Sequence, residues 1–71
     1  MKTEKHVATT TTVTYALMAE RALAENGIRA RIVRPPEDAV ARGCAYGIEF
    51  DRRERRRVKE LLDRAGIRAT V

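Results

Sequence analysis

One thiol and one imidazole stand alone in this sequence: Cys44 is its only cysteine and His6 its only histidine. Cys44 lies in the stretch RGCAYGIEF, with Gly43 before it and Ala45 and Gly47 after it. A cysteine that serves only as a small core hydrophobe is usually surrounded by bulk. This one sits at a loop-to-strand junction among small residues, which leaves clearance for a second molecule to reach the sulfur. Arg34 and Arg42 are near enough in sequence to favour a thiolate, whereas the carboxyl end of a preceding helix would oppose it. The residues alone therefore leave both a reactive and a packing role open. A Cys–His catalytic pair lacks an orienting carboxylate at His6, and two strong ligands fall short of the four of a structural zinc site. No metal and no organic cofactor are expected. His6 reads as an ordinary residue of a frayed first strand, and Tyr15 and Met18 as packing.

The elements that must place Cys44 alternate plainly. KHVATT (5–10) reads as a strand rich in β-branched residues. The threonines Thr9 to Thr12 offer caps for a helix over about Val13 to Asn26, with Ala16, Ala19, Ala22 and Leu23 on one stripe and Gly27 as its stop. IRARIV (28–33) alternates Ile28, Ala30 and Ile32 against Arg29 and Arg31, the pattern of a half-buried strand. PPEDAVARG carries the signals of a very short helix or turn. AYGIEF (45–50) is a third strand, and Asp51 with Glu54 forms a capping box before a helix whose inner face is Val58, Leu61, Leu62 and Ala65. IRATV (67–71) closes the chain as a fourth strand. NGIRARIV and AGIRATV echo each other, each running from a helix-ending glycine into Ile-Arg-Ala. The order β-α-β-β-α-β predicts a single α+β domain over residues 1–71. The expected fold is a ferredoxin-like βαββαβ sandwich, a four-stranded antiparallel sheet with two helices on one face.

Composition narrows the classes. With 71 residues the chain has room for one thin core, and with aromatics at 4% that core must be aliphatic. An unpaired cysteine, no secretory-type leader and no long apolar run point to a reducing, cytoplasmic setting without a membrane span. The formal charge of +5 and pI of about 10.1 favour acidic partners. RNA-recognition modules carry aromatics on the third strand. Here Ile48 and Phe50 point inward, leaving Ala45, Gly47 and Glu49 on the open face, where nothing can stack on a base. The run RRERRRVK reads as a solvated, ion-paired helix face, with Glu60 one turn from both Arg56 and Arg64. Nucleic-acid binding is therefore disfavoured, and a non-specific nucleic-acid binder ranks third among the readings.

The stretch VRPPEDAVARGCAYGIEF, preceded by ALAENGIRARI, resembles a family of small bacterial selenium/sulfur carrier protein-like domains. That family was formerly a domain of unknown function. Its pattern is a helix, GI opening a strand, a proline segment, and a CG pair leading the next strand. The resemblance covers about Val7 to Ile67, and carries the cysteine onto Cys44 and the proline segment onto Arg34, Pro35 and Pro36. Ala45 replaces the family's glycine, and the proline spacing is compressed. The resemblance implies that Cys44 carries a persulfide or selenopersulfide, received from a cysteine desulfurase or a selenium-pathway protein. Gly43, Ala45, Arg34, Pro35, Pro36 and Arg42 would be its supporting residues. Such a protein is a carrier rather than an enzyme, and a lone thiol suits it, because no neighbouring cysteine can resolve the persulfide into a disulfide. The alternative is a regulatory or interaction module with a structural Cys44. A homodimer through the open sheet face is expected, with Glu49 pairing an arginine across a two-fold axis.

Overall fold

The computed structural model of the protein describes residues 4–71. Strand β1 is Lys5–Thr10, helix α1 Val13–Glu25, β2 Ala30–Val33, α2 Glu37–Ala41 and β3 Tyr46–Asp51. A 3₁₀ turn over Arg52–Glu54 then leads into α3, Arg55–Arg64. The sheet has three strands in the order β1-β3-β2, both pairings antiparallel.

This corrects the four-stranded, two-helix expectation in two places. The very short helix expected within PPEDAVARG forms, as the five residues of α2, and makes a third helix that the two-helix architecture left out. The segment from Ile67 to Val71 does not form a fourth strand: its backbone meets β1 only at Thr9, through Thr9 N–H to Thr70 C=O at 2.9 Å and Thr70 N–H to Thr9 C=O at 2.8 Å. The reason lies in the threonines. β1 ends at Thr10, whose hydroxyl rather than backbone donates to the Arg68 carbonyl at 2.9 Å. Thr12 then turns the chain into α1, its side chain accepting from Tyr15 N–H at 3.1 Å. No backbone remains on that side to extend a ladder.

The core forms where α1 and α3 cover one sheet face. Ala16, Ala19 and Leu23 of α1 meet Val58 and Leu62 of α3 over Ala8, Ile48 and Phe50, all buried. Each large side chain among these contributes about 1.5–3 kcal/mol by burial. Ile67 is buried with them, and Ala69 and Val71 pack partly against the same cluster, so the inward alternation holds even where the ladder does not. Ala65 departs from expectation: α3 stops at Arg64, which leaves Ala65 exposed at the cap.

The opposite sheet face is less bare than its sequence suggests. Gly47 is buried there because Val7 and Val33 close over it from the flanking strands. A Cβ on Gly47 would lie 2.8 Å from Val7 Cγ1 and 3.2 Å from Val33 Cγ2. Arg31 and Glu49 are register partners and pair across the strands at 3.0 Å. Glu49 is thus engaged within its own chain.

Candidate functional site

Cys44 is placed by the way α2 ends. Ala41 is the last residue of α2, Arg42 caps it, and Gly43 follows at φ +91°, a conformation that glycine adopts without a Cβ penalty. Gly43 N–H donates to the Val40 carbonyl at 2.9 Å and Cys44 N–H to the Ala39 carbonyl at 3.0 Å, the paired bonds of a glycine-terminated helix. The next residue, Ala45, donates to the Thr10 carbonyl at 3.0 Å and ties the turn to the end of β1. Hydrogen bonds thus hold the backbone on both sides of the thiol. The cysteine itself is half-buried and makes no disulfide.

The sulfur's surroundings form an open groove of about 600 Å³, lined by Arg34, Pro35, Glu37, Val40, Gly43, Cys44 and Ala45. Five of the residues singled out from sequence therefore come together: Cys44, Gly43, Ala45, Arg34 and Pro35. Pro36 and Arg42 do not line it. Pro36 stands just before α2, its carbonyl accepting from Ala39 and Val40 N–H at 3.0 Å each. Arg42 bonds Asp38 at 3.1 Å on the exposed side of the helix, and that bond holds the Asp38 carboxyl below its usual range. The cation on the groove is Arg34, which forms no ion pair among the described residues.

Sequence reasoning missed Glu37 and Val40. Their i,i+3 spacing puts them on one side of α2, a signal that becomes usable only once α2 is known to be a helix. Val40 is 53% exposed, an apolar wall open to solvent beside the thiol. The groove thus offers a free thiol, an apolar wall, one cation and one carboxylate.

His6 takes no part. It pairs with Phe50 in the sheet register, at the opposite end of the ladder from Tyr46, which follows the Cys44 turn. At about 3.4 Å per residue that is roughly 14 Å away. Its ring meets Phe50 edge-on, with centroids 5.5 Å apart, and Nε2 is sealed from solvent without a hydrogen-bond partner. Burial first, then the charges of Arg55 and Arg52, push the imidazole below its usual range. His6 is therefore a paired sheet residue packed on the core, not part of a frayed end. No cluster of three metal-ligating side chains occurs among the described residues.

The ion pairs of α3 also differ from expectation. Arg57 faces Glu54 at 3.9 Å and Lys59 faces Asp63 at 3.6 Å, while Glu60 pairs with neither Arg56 nor Arg64. Asp51 caps the 3₁₀ turn, accepting from Arg53 N–H at 2.9 Å, and Glu54 turns to Arg57 instead of completing a capping box. No helix among the described residues is long and apolar enough to cross a membrane.

A family model described as "Putative Se/S carrier protein-like" matches residues 5–70. No curated protein and no solved structure matches the chain.

Proposed function

We propose, from the premise that the chain belongs to this Se/S carrier protein-like family, that it holds sulfur or selenium on Cys44 as a persulfide or selenopersulfide. The observation that carries the reading is a single thiol, half-buried at the edge of an open groove, with its backbone fixed on both sides. The donor is a protein with a cysteine persulfide, such as a cysteine desulfurase or a selenium-pathway enzyme. The Cys44 thiolate attacks the donor's terminal sulfur and a new Sγ–S bond forms. The donor's own S–S bond breaks, and its electron pair leaves on the donor thiolate. Sulfur changes hands without net oxidation, so no co-reactant is needed. Discharge is the same exchange onto an acceptor's thiolate.

The groove's features suit this traffic. Gly43 and Ala45 keep the approach low on either side of the sulfur, and Val40 supplies an apolar wall that excludes water from one side of the exchanging atoms. The backbone anchors fix where the sulfur stands when a partner closes over it.

The test is intact-mass analysis after incubation with a cysteine desulfurase and free cysteine. The wild type is expected to gain the mass of one sulfur atom, removable by a reductant. Several active desulfurases that leave the mass unchanged would refute the reading, as would loading that persists in Cys44→Ser.

A further inference from the structure

At the far end of the sheet from Cys44, a second open groove of about 570 Å³ is lined by Arg52, Arg53, Arg55, Arg56 and Lys59 and by no other residue. All five are exposed. Arg55, Arg56 and Lys59 lie at helical spacing on one side of α3, and the 3₁₀ turn brings Arg52 and Arg53 beside them. Arg52 pairs with Glu4 at 2.6 Å, Arg53 with Asp51 at 2.8 Å and Lys59 with Asp63 at 3.6 Å, yet none of these acids lines the groove. Arg55 and Arg56 have no ion-pair partner among the described residues.

We propose that this groove docks an acidic segment of a partner protein. Five cations gathered over barely more than two turns of chain repel one another, and a ligand bearing several carboxylates relieves that repulsion. Guanidinium groups match carboxylates in a two-pronged geometry. A nucleic-acid strand fits less well. Its phosphates need a continuing cationic track, whereas along α3 the basic run stops at Glu60 and Asp63, and no aromatic side chain borders the groove to stack a base.

The site lies clear of the thiol. Asp51, immediately before Arg52, pairs with Lys5 at one end of the sheet, while Ala45, immediately after Cys44, bonds to Thr10 at the other. A partner held here leaves the Cys44 groove uncovered.

The chain contains its own reporter. His6 is its only histidine and is packed close enough to feel the charges of Arg55 and Arg52. An acidic ligand in the groove offsets those charges and raises the His6 pKa. The experiment follows the His6 ring resonances by NMR across pH, with and without an oligoglutamate peptide at low ionic strength, alongside binding by fluorescence anisotropy. The expected result is saturable binding with an upward His6 shift, and binding about tenfold weaker in the Arg55→Glu/Arg56→Glu variant. An Arg21→Glu/Arg64→Glu variant of the same net charge should retain binding. Equal loss in both variants would show a net-charge effect and overturn the site. So would a His6 resonance that does not move in the wild type. A single-stranded oligonucleotide of matched charge that binds more tightly than the peptide would overturn the choice of partner.

Discussion

The two ends of this small sheet are built on different principles. At one end Cys44 is placed by backbone geometry, a glycine turn and two main-chain hydrogen bonds, with few charges nearby. At the other, five cations surround a groove whose character is almost wholly electrostatic. The first end depends on particular residues at particular dihedral angles. The second depends on summed charge rather than on any one dihedral angle. The two ends should therefore respond to different perturbations, the first to sterics and the second to salt.

The largest expected effect is at the thiol. Cys44→Ser should abolish sulfur loading completely while leaving the thermal midpoint nearly unchanged, because the side chain is half-exposed and its N–H bond to Ala39 survives. A large fall in midpoint would make Cys44 a packing residue and erase the contrast.

Gly43→Val comes next. Nothing lies within 4 Å of a Cβ built on Gly43, so crowding within the chain is not the penalty. The positive φ is, and a β-branched residue there costs about 1–2 kcal/mol. Chemical denaturation should show that loss together with slower loading, since the turn and the thiol move together. Unchanged stability would mean that the turn does not hold its φ.

Arg34→Glu tests the charge of the thiol groove itself. Iodoacetate should label Cys44 about threefold more slowly relative to neutral iodoacetamide than it does in the wild type, by reversal of one nearby charge. The ratio should recover in high salt. An unaltered ratio would show that Arg34 does not face the sulfur's approach.

The smallest effect belongs to His6. Its folded pKa is held below the ordinary value of 6.5 by burial, Arg55 and Arg52, so the unfolded chain binds more protons in acid. Stability should fall as pH drops below about 6.5 and level off below the folded pKa. His6→Phe should flatten that slope without lowering stability at neutral pH, because Nε2 has no partner to lose. Denaturation midpoints across the pH range would check it, and an unchanged slope would place the acid sensitivity elsewhere.

How far sequence reached depended on the range of the interactions. β1 is legible over Lys5–Thr10 because β-branched composition and alternation are local. The cysteine's turn is legible because Gly43 marks a helix end. Which of four threonines caps α1 was not, since Thr12 is selected by where β1 leaves the sheet. The two Ile-Arg-Ala echoes show the limit best. Ala30–Val33 of IRARIV becomes β2 beside β3, while the near-identical IRATV forms one bridge, because the chain bends at Thr11 just beyond β1. Glu37 and Val40 were hidden for a related reason. Their place on the groove depends on α2 being a helix whose end folds back through the Cys44 N–H to Ala39 carbonyl bond.

The main-chain anchoring of Cys44 has a consequence for how such a carrier is read by its partners. The bonds that fix the residue run through its amide and through Ala45, and none uses the sulfur. Adding an atom to Sγ therefore breaks nothing that holds the fold. Loaded and empty forms should melt together and present the same outline everywhere except at one groove. By linkage, a partner that discriminates between them must touch the cargo atom itself, since no change of shape elsewhere announces that the chain is full.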